Sequence, residues 1–143
     1  METTSGKSLQ CVVVTPAKAV LDEPAEFVSL PMFDGELGVL PGRAPLIGRL
    51  GPGELRLQQN GTARRLFVDG GFAQIRSDVV TVLTPRAMPA EEIDSAAARQ
   101  ELTAAQAVVT KSAEEQDARR KAEERARALI RVAEHGHGGS SGH

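Results

Sequence analysis

The distribution of glycine and proline divides this chain of 143 residues into parts with different folding properties. All eight prolines and most glycines lie before residue 90, whereas residues 90–135 contain neither. Because these residue types shape turns and interrupt helices, long helices are expected only in the second part. The sequence therefore predicts a β domain over residues 1–89, helices over 90–134 and a flexible tail over 135–143.

The first part contains many short apolar runs separated by turn residues. Residues 9–14 and 79–84 are rich in β-branched side chains, and Asn60-Gly61 is a strong signal for a two-residue hairpin. The glycine-rich segments 51–53 and 69–71 are also predicted to be turns. Frequent turns without a helical period predict an antiparallel β-sandwich of about ten short strands.

The second part is composed mainly of strong helix formers. It is longer than an average globular helix by several turns, and residues 109–112 favour helix least, so we expect a helical hairpin that bends there. Much of its apolar seam is alanine, which buries little area, and a weakly held, movable hairpin is predicted. The positions expected to face inward are Ile93, Ala97, Leu102, Ala105 and Val109 in the first helix and Ala118, Ala122, Ala126, Leu129 and Ile130 in the second.

Formal charges nearly balance along the chain. The 17 Lys and Arg side chains stand against 19 Asp and Glu, giving a net charge of -2, so no long-range attraction to nucleic acid or to an anionic membrane is expected. The chain has four Phe and neither Trp nor Tyr, which leaves few rings for stacking on bases. We therefore expect no nucleic acid among the partners.

The usual groups for enzymatic chemistry are scarce. No histidine precedes His135, and the single cysteine, Cys11, lies in an apolar run without a base to activate it. The tail holds three histidines on a Gly/Ser string, for which disorder is favoured over metal binding because a metal site needs a rigid scaffold. We expect a structural thiol, no catalytic residues, no metal and no cofactor.

Membrane insertion is not predicted. No segment reaches the roughly 20 consecutive apolar residues that span a bilayer, and the first residues lack the layout of a signal peptide. We expect a soluble protein that reaches a membrane only through a partner.

A basic stretch lies in the second predicted helix. Between residues 118 and 131, six basic and two acidic side chains give a charge of +4. One interpretation is a solvated helix face with Glu-Arg pairs, and the other is a surface for an acidic partner. The candidate residues for this basic face are Arg119, Arg120, Arg125, Arg127 and Arg131.

Several segments combine glycines, prolines and apolar residues in a distinctive order. They are 34–46 (DGELGVLPGRAPL), 52–56 (PGELR), 70–75 (GGFAQI), 80–83 (VTVL) and 92–94 (EID). In order and spacing these segments resemble the epsilon subunit of F-type ATP synthases. The resemblance covers about residues 9–134.

The resemblance implies a non-catalytic rotor subunit that sits between the gamma subunit and the ring of c subunits. Such a subunit couples the catalytic head to the ring, as a peripheral part of the complex on the cytoplasmic face of the inner membrane. The resemblance also implies that the helical hairpin extends toward the head to inhibit ATP hydrolysis, with its basic face meeting acidic segments of the catalytic beta subunits.

Two further sets of site residues follow from the resemblance. The segment 34–46 corresponds to a loop that faces the c ring, so Glu36 and Arg43 are the candidate ring contacts. Many relatives carry His at the position of Arg43, and because a guanidinium does not titrate near neutral pH, a pH-sensitive contact is not expected there.

Some bacterial members bind ATP through a motif Ile/Leu-Asp-x-x-Arg-Ala at the start of the first helix. In this chain the arginine position is occupied by Ala97. Asp94, Arg127 and Arg131 remain candidates for a nucleotide site, for which we expect weak binding or none.

Two rival functions stay open from the residues alone. A stand-alone adaptor would use the sandwich edge and the basic helices to bind an acidic protein. An enzyme of unrecognised type would require a pocket with perturbed titrating groups.

Overall fold

Eight β-strands followed by two α-helices make up residues 8–141, which the computed structural model describes, with side chains up to residue 135. The strands are β1 Leu9–Val14, β2 Ala19–Ala25, β3 Phe27–Met32, β4 Gly35–Val39, β5 Leu46–Gln59, β6 Thr62–Arg76, β7 Val79–Leu83 and β8 Ala87–Pro89. A 3-10 turn at Ala90–Glu92 leads into α1 Ser95–Ala107 and α2 Ala113–Ser141.

The strands are hydrogen-bonded in the order β2-β1-β7-β6-β5-β3-β4, with β8 added to β6. The β1–β7 pair is parallel and the other pairs are antiparallel. The first half of β5 and the second half of β6 form one layer with β7, β1 and β2, and the other halves form the second layer with β3, β4 and β8. The predicted β-sandwich is confirmed.

The described strands number eight instead of about ten because two predicted turns lie inside long strands. Residues 51–53 belong to β5 and residues 69–71 to β6, and the pairing of the two strands continues from Leu50↔Gly71 to Pro52↔Asp69. Gly70 and Gly71 have φ angles of 75° and 101°, which allow the chain to change direction without ending the ladder. The β5–β6 hairpin therefore passes through both layers.

The sandwich encloses a core of aliphatic side chains that alternate along the strands. Leu55, Leu57, Leu66 and Val68 point into it from β5 and β6. Cys11 is fully buried in this core, and burial, together with the charges of neighbouring carboxylates, raises the pKa of its thiol to about 12. An uncharged thiol of this kind agrees with a structural role.

The predicted helical hairpin is confirmed, and the chain leaves helical geometry between α1 and α2, at residues 108–112. Within the described residues, neither helix is long and apolar enough to span a membrane. α2 continues to Ser141, beyond residue 134, into the segment predicted as a flexible tail. The flexibility of residues 135–143 and the three-part division of the chain stay predictions.

Three predicted inward positions are wrong: Ala97 and Val109 of the first helix, and Ala118 of the second, which is exposed. Val109 is 80% exposed because it lies in the break between the helices, and Ala97 is exposed while its neighbour Ala98 is buried. Asp94 caps α1 by accepting hydrogen bonds from the backbone N–H groups of Ala96 and Ala97. The start of α1 therefore fixes which residues of the first turn face inward.

A second, smaller core joins the helices to the outside of the sandwich. Phe67 belongs to this core and is fully buried, although it stands between Leu66 and Val68, which face the sandwich core. The other side chains of this core are Met88, Ala90, Ile93, Ala98, Ala128, Leu129, Ile130, Val132 and Ala133. Because side chains alternate between the two faces of β6, this one strand contributes to both cores.

We predict that Gly71→Ala lowers the free energy of unfolding by about 3 kcal/mol or more. A Cβ at this position would overlap the carbonyl oxygen of Leu83 and lie 2.9 Å from Cα of Thr84, in addition to the cost of a positive φ. Gly61→Ala is the matched control, since Gly61 has a φ of 77° but open space around it, and about 1 kcal/mol is expected there. Equal urea midpoints for the two variants would contradict the packing at the bend.

Candidate functional site

Glu36 lies on β4 at the exposed surface of the second layer. Its carboxylate accepts a hydrogen bond of 2.7 Å from the hydroxyl of Ser29, a side chain on β3 that is only 2% exposed. A buried donor therefore orients a carboxylate that solvent or a partner reaches from the other side.

Arg43 lies in the connection between β4 and β5, and it is exposed. The preceding residue, Gly42, has a φ of 88°, and its N–H donates to the carboxylate of Asp78 in the β6–β7 turn at 2.8 Å. The connection is thus tied down one residue before Arg43. The structure places both candidate ring contacts, Glu36 and Arg43, on one exposed strand-and-loop segment.

An exposed apolar patch was not anticipated from the sequence. Phe72 of β6 pairs with Leu83 of β7 and with Arg49 of β5, and the guanidinium of Arg49 lies 5.0 Å from the ring centre of Phe33. Phe33 and Ile47 are 70% and 72% exposed. The available signal was the presence of apolar residues on both faces of β5 and β6, which marks strands covered on both sides.

Three arginines of the predicted basic face bind carboxylates within α2. These intrahelical ion pairs join Arg119 and Arg127 to Glu123, and Arg120 to Asp117 and Glu124. The hydrogen bond from Arg120 lowers the pKa of Asp117. Exposed pairs of this type contribute only tenths of a kcal/mol, so with the hairpin folded these side chains form a solvated, self-paired surface.

Arg125 behaves differently, because its Nε donates to Oδ2 of Asp69 on β6 at 2.7 Å. Near the other end of α2, Nδ1 of His135 lies 2.8 Å from the carboxylate of Glu54 on β5. Two polar contacts therefore fasten α2 to the sandwich on top of the apolar contacts around Phe67. The sequence predicts that Asp69 lies in a turn, and no local pattern indicates that it pairs with Arg125.

The three candidate nucleotide residues are not all together. Arg127 and Arg131 line a groove between α2 and the sandwich, beside Arg120 and Phe33. Asp94 is not among the residues that line this groove, and both of its short hydrogen bonds go to the backbone of α1. The folded hairpin thus brings two of the candidates together and uses the third as a helix cap.

Phe67 is the residue at the helix–sandwich junction that sequence reasoning missed. Its signal is Leu66-Phe67-Val68, three consecutive apolar residues in a strand that alternates over residues 72–76. An alternating strand with an extra apolar residue on its outer face indicates a second covering layer.

Comparison with known proteins identifies the family. Residues 8–90 match the family described as the ATP synthase Delta/Epsilon chain, beta-sandwich domain. The ATP synthase epsilon chain of Rhodopirellula baltica is 51% identical over 125 residues, covering 87% of this chain and 98% of that relative. The epsilon chain of Synechococcus sp. strain JA-2-3B'a(2-13) is 40% identical over 131 residues, covering 90% and 96%.

Solved structures agree with this fold. A chain in the cryo-EM structure of the Euglena gracilis mitochondrial ATP synthase, OSCP/F1/c-ring, superposes with a TM-score of 0.77 at 25% identity, covering 90% of this chain and 83% of that one. A chain in the central stalk/c-ring structure of the Tetrahymena thermophila enzyme gives a TM-score of 0.70 at 11% identity, covering 87% and 96%, which bears on the fold alone. The chain belongs to the ATP synthase epsilon chain family.

Proposed function

We propose that this chain is a non-catalytic central-stalk subunit of an F-type ATP synthase, which couples the catalytic head to the c ring. The observation that carries the proposal is the 51% identity to the Rhodopirellula baltica epsilon chain, since it extends over 98% of that relative and so includes the helices as well as the sandwich. In this role the chain is peripheral and associates with the cytoplasmic face of the inner membrane through the complex.

Glu36 and Arg43 are the proposed contacts to the c ring. Both are exposed, carry opposite charges and lie on a segment that is tied to the sandwich at Ser29 and Asp78. A rotating coupling needs contacts that transmit torque, and side chains fixed to a β framework deform less than side chains on a free loop.

The gamma subunit is the proposed partner of the apolar patch. Exposed apolar side chains of this size are unfavourable in water and mark a surface that another protein covers. The patch consists of Phe33, Ile47, Phe72 and Leu83. Ile47, Phe72 and Leu83 lie on the first layer, and Phe33, in the turn between β3 and β4, lies at the edge of the patch next to α2.

The helical hairpin is the proposed inhibitory element. When folded it covers Phe67, and when extended it would present its arginines to acidic segments of the catalytic beta subunits. ATP is a poor candidate for holding it down, because Ala97 lacks a charge for phosphate and Asp94 is occupied as a cap. We therefore propose weak nucleotide binding or none.

The alternative function is a stand-alone adaptor, and co-purification separates it from the leading proposal. A tagged chain isolated from its native membranes should bring down a complete multi-subunit ATPase. Recovery of the chain free of that complex would favour the adaptor.

We predict that Ser29→Ala weakens binding of the protein to purified c rings about tenfold, because the carboxylate of Glu36 loses its orienting donor. The measurement is the dissociation constant. In a Glu36→Ala background the same substitution should have no further effect, since the acceptor is already absent. Equal losses in the two backgrounds would assign Ser29 to packing instead.

We also predict that deleting residues 91–143 leaves assembly and proton coupling intact and changes the ATP hydrolysis rate of the assembled enzyme. The deletion uncovers Phe67, so a second truncated variant carries Phe67→Thr to keep the exposed strand polar. Both truncated enzymes should hydrolyse ATP at one common rate that differs from the full-length enzyme. An unchanged rate in both would remove the inhibitory role.

A further inference from the structure

Arg125 is set apart from the neighbouring arginines of α2 by the location of its partner. Arg119, Arg120 and Arg127 bind carboxylates on their own helix, so their ion pairs travel with the hairpin when it moves. The pair between Arg125 and Asp69 joins α2 to β6 and must break for the hairpin to leave the sandwich. It therefore affects the equilibrium between docked and released states, whereas the intrahelical pairs cancel from it.

The backbone of Asp69 is held in place at the bend of β6. The N–H of Asp69 donates to the carbonyl oxygen of Arg86 at 3.0 Å and to the hydroxyl of Thr84, a buried residue, at 3.2 Å. The residues that follow it, Gly70 and Gly71, have positive φ angles. The side chain of Asp69 is only 14% exposed, so removing Arg125 leaves a partly desolvated charge without its partner.

The other contacts between hairpin and sandwich are weaker locks. The ion pair between Arg86 and Glu101 spans 3.5 Å, against 2.7 Å for Arg125 and Asp69, and its carboxylate is 43% exposed, against 14% for Asp69. The side chain of His135, which meets Glu54, is 54% exposed, against 38% for Arg125. Three of the residues that α1 and α2 contribute to the core around Phe67 are alanines, which limits the apolar area lost on release. Of these three polar contacts, the pair Arg125–Asp69 thus has the most buried carboxylate.

We propose that Arg125 has two mutually exclusive partners: Asp69 while the hairpin is docked, and a carboxylate of an acidic protein surface once the hairpin extends. Asp69 then competes with the acidic surface of the inhibited partner for one guanidinium. The strength of the pair Arg125–Asp69 sets how readily the hairpin inhibits ATP hydrolysis. The inference rests on the proposed inhibitory function of the hairpin. It adds a role in restraining the inhibitory hairpin for a sandwich residue that is neither a proposed ring contact nor a member of the apolar patch.

Docking is measured in the full chain by thiol labelling of an Ala133→Cys variant. Ala133 is buried in the core around Phe67, so a thiol there reacts only when the hairpin opens, while Cys11 in the sandwich core reports unfolding of the sandwich. Adding Asp69→Asn or Arg125→Gln should accelerate labelling at position 133 about tenfold and leave Cys11 unchanged. The control Lys121→Gln, which breaks a pair within α2, should change neither rate.

Function is measured as ATP hydrolysis by the assembled enzyme. Asp69→Asn frees Arg125 for the inhibited partner, so hydrolysis should fall. Arg125→Gln releases the hairpin but removes the shared group, so its rate should exceed that of Asp69→Asn. The exchange Asp69→Arg with Arg125→Asp should restore slow labelling without restoring inhibition, because an aspartate cannot bind an acidic surface.

The outcomes separate the two levels of the proposal. Unchanged labelling with Asp69→Asn would overturn the lock itself. Faster labelling with equal hydrolysis rates for Asp69→Asn and Arg125→Gln would overturn the shared partner, provided that deletion of residues 91–143 changes hydrolysis. If that deletion has no effect either, the inhibitory function falls, and the second partner of Arg125 falls with it.

Discussion

The alternation of side chains along β6 is the constraint on which the two halves of this protein depend. Leu66 and Val68 point into the sandwich, and Phe67, between them, points out toward the helices. The same strand therefore contributes side chains to two separate apolar clusters, one on each of its faces. Because the sandwich core is closed without the helices, their departure exposes the surroundings of Phe67 and leaves the aliphatic core covered.

Separate cores allow separate tasks. The sandwich offers a charged segment at Glu36 and Arg43 and an exposed apolar patch, and α2 borders both surfaces, at Glu36 and at Phe33. The hairpin is held by an alanine-rich contact, by the ion pair from Arg125 to β6 and by the contact of His135 with Glu54 on β5. An interface that combines small apolar area with a few oriented charges is stable enough to dock and weak enough to release. Such a balance is compatible with the proposed combination of coupling and inhibition in one chain.

The sequence predicts the layout of the molecule well, for physical reasons. The absence of glycine and proline from residues 90–135 predicts the helices, and the least helix-favouring stretch marks the break that the structure has at residues 108–112. Strand number is harder to predict, because glycines at positions 70 and 71 serve equally well in a turn or in a bend within a long strand. Asn60-Gly61 is unambiguous, since two positive φ angles in succession match a tight hairpin turn.

Contacts between distant elements are the part that local patterns do not reveal. Arg125 is one of several arginines on α2, and only the three-dimensional register selects it for Asp69, 56 positions away. Helical periodicity alone predicts that Ala97 and Val109 face inward. This prediction fails because the periodicity does not account for the cap at the start of α1 or for the break after it. The extra apolar residue at Phe67 was the one local sign that the sandwich carries a second layer.

Native-state amide hydrogen exchange across a series of low denaturant concentrations tests most directly whether hairpin and sandwich are separate cooperative units. Amides of α1 and α2 should exchange through an opening with a lower free energy and a smaller denaturant dependence than amides near Leu66 and Val68. A single free energy and a single denaturant dependence for helices and sandwich alike would contradict a releasable hairpin.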